Sequence, residues 1–301
     1  LARLGTGLAK EHWSRQRDER RLGKEGMAVE GSLDIRFAGT SPARTRLVHL
    51  DQRAPLRALF PHCPNMGLPV TAITATCGGF TGGDHLTMSV DVAAGAGVMA
   101  VGQAAEKLYR STGAETRIDI NLNVGGGGWL EWLPQETIIF DGARLRRRTS
   151  LDMAENSAML GGEILVFGRQ ARGEELTHGL VHDGWHVIRA GKPAWADIFH
   201  AADSDLTAML AHPAALAGAR ASAMLVHIGT DLGAALAWVR ERLAAANNAM
   251  RAAATIVNDV LLVRWLAEDA SDIRPSFAAL WMGLRARARN LPTNLPTFWH
   301  A

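Results

Sequence analysis

The chain has 301 residues, 48% of them hydrophobic, enough to fill one large core or two ordinary ones without staples. Its 32 basic and 30 acidic residues leave a formal charge of +2, which supplies no global field for nucleic acid or a membrane surface. No run approaches the roughly 18 consecutive apolar residues of a membrane span, and two cysteines without Cys-x-x-Cys spacing, with no signal-peptide run, point to a reducing cytoplasm.

Residues 1–26 are polar, with Arg15, Arg17, Arg20, Arg21 and Lys24 among Asp18, Glu19 and Glu25. They read as a flexible N-terminal extension, either an exposed tail or extra residues ahead of a start at Met27. A single β-rich domain is expected over 27–301. Leu33, Ile35 and Phe37 alternate as a half-buried strand, and 46–52 follow as a second after the Thr40-Ser-Pro turn. The glycine-rich turn Cys77-Gly-Gly-Phe-Thr-Gly-Gly-Asp84 then runs into Leu86, Met88, Val90 and Val92, one face of a third. Asp84 opens that strand, where its carboxylate either caps local N–H groups or faces a cavity. Phosphate-loop readings fail here and at Gly125–Gly128, because both clusters lead into strands rather than helices.

Asp141-Gly142 lies between 137–140 and 143–146 and predicts a two-residue hairpin pairing Phe140 with Ala143 and Ile138 with Leu145. Arg144, Arg146 and Arg148 then share the opposite face, most simply a solvated one; without interleaved aromatics a nucleic-acid surface is disfavoured, and protein docking lies between. A second hairpin is expected at Asp183-Gly184, pairing His182 with Trp185. It places His178 and His182 on one face and His186 on the other, so these histidines read as ordinary surface or half-buried groups before they read as a metal site. In the alanine-rich last third, Leu232, Leu236, Val239 and Leu243 follow an N-cap at Thr230, and Phe277, Leu280, Trp281 and Leu284 follow Pro275 in a first turn. These predict helices near 231–246 and 275–289. Residues 222–228 read as a strand, and 254–266 as two strands turning at Asn258-Asp259.

Catalytic signatures are absent: no Gly-x-Ser-x-Gly, no His-Glu-x-x-His, no paired Cys/His zinc spacing. What stands out are carboxylates beside glycines or within apolar strands, namely Asp84, Glu131, Glu163 and Glu174. Each must be solvated, paired with a group such as Arg169, or used. His62, Cys63 and Cys77 are a weak candidate metal set.

Five segments in order, Gly-Gly-Phe-Thr-Gly-Gly-Asp (78–84), Gln-Ala-Ala-Glu-Lys-Leu-Tyr-Arg-Ser (103–111), Leu-Glu-Trp-Leu-Pro-Gln-Glu (130–136), Phe-Gly-Arg-x-Ala-Arg-Gly-Glu (167–174) and Leu-Leu-Val-Arg-Trp-Leu (261–266), resemble the urease accessory proteins UreD, also called UreH. The resemblance spans about residues 31–299. It departs from the family pattern at Ala54, at Thr76-Cys77 and at Thr297.

That resemblance implies a mainly β (α+β) fold, a two-layered helical β arrangement resembling a β-helix, with a few C-terminal α-helices. It implies a scaffold or chaperone rather than an enzyme, with no tightly bound cofactor and only transient Ni²⁺. The implied partners are urease apoprotein and the accessory proteins UreF and UreG, with no nucleic acid and no membrane, and the ion is implied to travel through an internal water-filled passage. On this reading Asp84, Glu163 and Glu174, with Glu131, line the passage, Arg169 orients one of them, and Trp281 and Trp299 mark an apolar docking surface near the C-terminal helices. The competing class is a β-rich enzyme or ligand-binding domain built on the acidic cluster.

Overall fold

A computed structural model describes residues 28–169, 172–245 and 249–300. The polar extension 1–26 lies outside the described residues, as does the last residue of the helix expected near 231–246.

Alternating apolar residues build two facing sheets. The first holds β1 (Glu30–Ala38), β2 (Arg46–Arg53), β5 (His85–Val92), β8 (Thr116–Val124), β11 (Arg144–Met153), β13 (Leu180–Arg189) and β14 (Lys192–Ala202), ordered β14-β13-β11-β8-β5-β1-β2. The second is ten-stranded. Along it run β3 (Leu56–Leu59), β4 (Val70–Ala75), β6 (Gly97–Gly102), β9 (Trp129–Leu133), β12 (Ala158–Phe167), β15 (Ala221–Ile228), β17 (Val260–Ala267) and β16 (Met250–Val257), with β7 (Glu106–Leu108) and β10 (Thr137–Ile139) pairing beside β12. The chain passes back and forth between the sheets, so β1, β5, β8, β11 and β13 stack in parallel in one, and β4, β6, β9 and β12 in the other. This is the stacked-coil, solenoid-like β arrangement the resemblance implied.

Leu33, Ile35 and Phe37 lie beside Met88, Val90 and Val92 on the inward face of the first sheet, and Leu130, Trp132 and Met159 meet them from the second sheet to form the inter-sheet core. A second core lies on the other side of the ten-stranded sheet, beneath α2 (Leu232–Ala244) and α3 (Ala270–Arg289). A short α1 (Asp203–Ala211), which no periodicity signalled, follows β14. Asp231 rather than Thr230 is the N-cap of α2, and α3 begins five residues ahead of Pro275, capped by Asp269, which accepts from the Ser271 N–H at 2.8 Å. Pro275 is therefore inside the helix. Asn258 and Asp259 have φ of 47° and 60° and turn β16 into β17 as expected.

The other two expected hairpins are not formed. At Asp141-Gly142 only Gly142 takes positive φ (77°), whereas a type I′ turn needs it at both positions. Asp141 Oδ1 instead accepts from Thr177 N–H and O–H at 2.8 and 2.9 Å, fixing a corner that carries the chain from β10 in one sheet to β11 in the other. Asp183-Gly184 is the middle of β13, and the reversal falls at Ala190-Gly191, with φ of 50° and 73°. His182 thus pairs with His200 rather than Trp185, and His182 and His186 share the outward face. His178 precedes the strand, its Nδ1 3.2 Å from Asp141.

Candidate functional site

A cavity of about 160 Å³ lies between the sheets. Its outer end is bordered by Cys77, Gly78, Gly79, Ala104 and Lys107, and its inner end by Arg147, Thr149, Glu163 and Trp185. Cys77, Gly78, Ala104 and Lys107 are exposed, so the cavity opens to solvent there. Gly79 shapes this mouth: its φ is 145°, and a Cβ would stand 2.6 Å from the Lys107 carbonyl oxygen.

The inner end is built by register. In the parallel pairing of β11 and β13, Arg147 lies directly beside Asp183, both on the inward face. Arg147 Nε donates to Asp183 Oδ1 at 2.9 Å, Nη1 to Thr137 Oγ1 at 2.9 Å, and Nη2 to both Asp183 Oδ2 and Glu163 Oε2, at 2.5 and 2.9 Å. Glu163 reaches in from β12 of the facing sheet and also accepts from Trp185 Nε1 at 2.9 Å. Glu106, on β7, borders the same cavity, and its carboxylate makes no hydrogen bond or ion pair among the described residues.

Charges at this end do not balance, since one guanidinium faces the carboxylates of Asp183, Glu163 and Glu106. Burial, followed by the charge of Asp183, pushes Glu163 up to about 8 against the opposing pull of Arg147. Burial likewise raises Glu106 above the ordinary range. Although burial disfavours its charge, the three carboxylates hold Arg147 above the usual arginine range. A carboxyl that titrates near neutrality beside a water-accessible cavity can exchange a proton for a cation.

Folded Glu163 keeps its proton to higher pH than the unfolded residue, so its contribution is present at low pH and is lost as pH rises from about 4.5 to about 8. The melting temperature of the natural chain minus that of Glu163→Gln is therefore expected to fall across this window. A difference independent of pH would contradict it.

Of the carboxylates singled out from sequence, Glu163 alone borders the cavity. Asp84 is buried at the entry to β5 and accepts from Val29 N–H at 2.9 Å and Thr81 N–H at 2.8 Å, the capping alternative. Glu174 lies at a surface corner, accepting from Asp141 N–H at 2.8 Å and from Arg169, which stacks over Phe140. Glu131 sits on the other face of β9, in the second core, where Arg285 Nε, Trp129 Nε1 and Trp281 Nε1 donate to it.

Trp281 and Trp299 do not form the expected apolar surface. Both are fully buried, Trp281 bonded to Glu131 and Trp299 stacked on Phe277 beneath Arg274, because the C-terminal segment folds back over α3 and its aromatic rings fill that core. They present no docking surface. Exposed large apolar side chains occur instead at Leu47, Val48 and Leu50 on the edge strand β2, and at Leu59 and Phe60. Cys77 is at the cavity mouth while Cys63 borders a separate surface pocket with His62, and no three His, Cys, Asp or Glu side chains converge as metal ligands among the described residues.

Arg147, Asp183 and Glu106 were not singled out from sequence. Arg147 was within reach: it shares the parity of Leu145, Leu151 and Met153, all buried on β11.

The family model described as UreD urease accessory protein matches residues 29–300. The chain belongs to the UreD urease accessory protein family. It is 40% identical over 275 residues to a protein named urease accessory protein UreD from Magnetococcus marinus, covering 90% of this chain and 94% of the relative. To proteins of the same name from Methylobacterium sp. and Rhodopseudomonas palustris it is 37% and 36% identical, covering 90% and 87% of this chain and 94% and 91% of theirs. In this UreD-family chain no helix among the described residues is long and apolar enough to cross a membrane.

Proposed function

We propose that the chain acts in urease maturation as a non-catalytic cytoplasmic scaffold, binding apo-urease and the accessory proteins UreF and UreG, and that Ni²⁺ moves through the cavity between its sheets. Family membership supports the role in urease maturation. The observation that carries the passage is the cavity itself, open at Cys77–Gly79 and ending on Glu163, Glu106 and Arg147. A cation leaving water needs oxygen or nitrogen ligands weak enough to release it onward. Carboxyls already raised by burial supply that, because the proton returns as the cation leaves. Asp84, Glu131 and Glu174 then serve the framework around the passage, each held by the donors described above.

The test is nickel content and activity of urease from cells expressing its structural subunits, the other accessory proteins and either this chain or its variants. The Glu106→Gln/Glu163→Gln chain is expected to stay soluble and to co-purify with its partners while lowering nickel loading at least tenfold. Asp84→Asn is expected to reduce the amount of soluble chain instead. Full nickel loading with the double variant would overturn the passage.

A further inference from the structure

On the outer face of the seven-stranded sheet, opposite the face that lines the cavity, the antiparallel register of β13 and β14 sets His182 opposite His200. Their Nδ1 atoms are 3.2 Å apart, with the rings edge to face at 5.2 Å between centroids. Two imidazole nitrogens bound to one late first-row cation at about 2.0–2.1 Å stand roughly 2.9 Å apart at a right angle and about 3.3 Å apart at a tetrahedral one. The pair is already at that separation.

We propose that His182 and His200 form a two-histidine surface site for a divalent late first-row cation, Ni²⁺, Cu²⁺ or Zn²⁺, the remaining positions being filled by water or by a partner's side chain. Imidazole suits these metals, and it must be neutral to bind them. Burial, then the Arg146 guanidinium and the His200 ring, lowers His182 below the ordinary histidine range. Arg146, the register neighbour of His182 on β11, is held in a bidentate pair by Glu115 at 2.6 and 2.9 Å, which offsets its charge. Asp183, next on the same strand, points inward to Arg147 and leaves the site to the histidines. Without a cation, one Nδ1–H donates to the other Nδ1. A cation takes both lone pairs once that proton moves to its ring's other nitrogen, with no net release.

The site does not depend on nickel using the cavity. The full chain, carrying no polyhistidine tag, is titrated with Ni²⁺ by calorimetry, and with Cu²⁺ followed by electron paramagnetic resonance. Relative to the natural chain, His182→Ala/His200→Ala is expected to lose one equivalent of Ni²⁺ and the nitrogen couplings of the bound Cu²⁺. Each single variant is expected to weaken that equivalent at least tenfold, while His186→Ala and Glu106→Gln/Glu163→Gln retain it. Circular dichroism confirms that the variants are folded. Equal stoichiometry and affinity in the natural chain and the double variant, or loss of the equivalent in His186→Ala, would overturn the site.

Discussion

Arg147→Met is expected to destabilise the folded chain by about 3–5 kcal/mol, the effect of removing one partner from a buried, hydrogen-bonded ion cluster. The side chain is 4% exposed and the Asp183 carboxylate beside it 1%. Without the guanidinium, Asp183 loses both its charge-assisted bonds, Glu163 loses one, and the Thr137 hydroxyl loses its donor. Methionine fills much of the volume but leaves carboxylates facing each other in the core, where water reaches them only through the cavity. At roughly 2–4 °C per kcal/mol for a large domain, the melting temperature should fall on the order of 10 °C. Asp183→Asn is expected to lose much less, because Glu163 still pairs with Arg147 and one excess negative charge is gone. Thermal melts followed by circular dichroism read both. Equal melting temperatures for Arg147→Met and the natural chain would mean that the carboxyls neutralise fully by protonation and the cluster contributes nothing net.

Glu131→Leu is expected to have a comparable or larger effect, again about 3–5 kcal/mol from the stranded charge of Arg285. Both members of this pair are 0% exposed. Glu131 accepts from Arg285 Nε at 3.0 Å, from Trp129 Nε1 at 3.0 Å and from Trp281 Nε1 at 2.8 Å, so leucine orphans three buried donors at once. Arg285 in turn donates to the carbonyls of Met66, Pro292 and Asn294, tying α3 to the segment before β4 and to the C-terminal segment. Arg285→Met should cost less, since Glu131 keeps its two indole donors. Adding it to Glu131→Leu should recover part of the loss, because the stranded cation is removed while the indoles remain unpaired. Urea midpoints for the two single variants and the double variant give the coupling. Strictly additive losses would show that the two side chains do not act as a pair.

Strand existence was largely legible. The alternation at Leu33–Phe37 and Leu86–Val92 marks inward faces that hold in the folded chain, and Asn258-Asp259 marks its turn because both residues tolerate left-handed backbone. The site was only partly legible. Glu163 stands out in an apolar run and does border the cavity, whereas Asp183, beside Gly184, carries a turn signal yet lies mid-strand, paired with Arg147, which falls outside the solvated set Arg144, Arg146 and Arg148.

What the sequence by itself determined is local and cumulative: which segments are strands or amphipathic helices, and, through five ordered segments, the family to which the chain belongs. Side-chain period and turn chemistry act over a few residues, so they can be read from neighbours. Which sheet each strand joins was decided only by tertiary structure. Asp-Gly closes a hairpin in an antiparallel pair, but here β10 and β11 join parallel neighbours in separate sheets, and the same dipeptide becomes a corner between sheets. That choice sets Arg147 beside Asp183 and faces both toward Glu163, while the β13–β14 register turns His182 to His200 and the C-terminal segment over α3 encloses Trp281 and Trp299. Each of these contacts joins residues far apart in sequence, and burial there is a property of the closed stack rather than of any one strand.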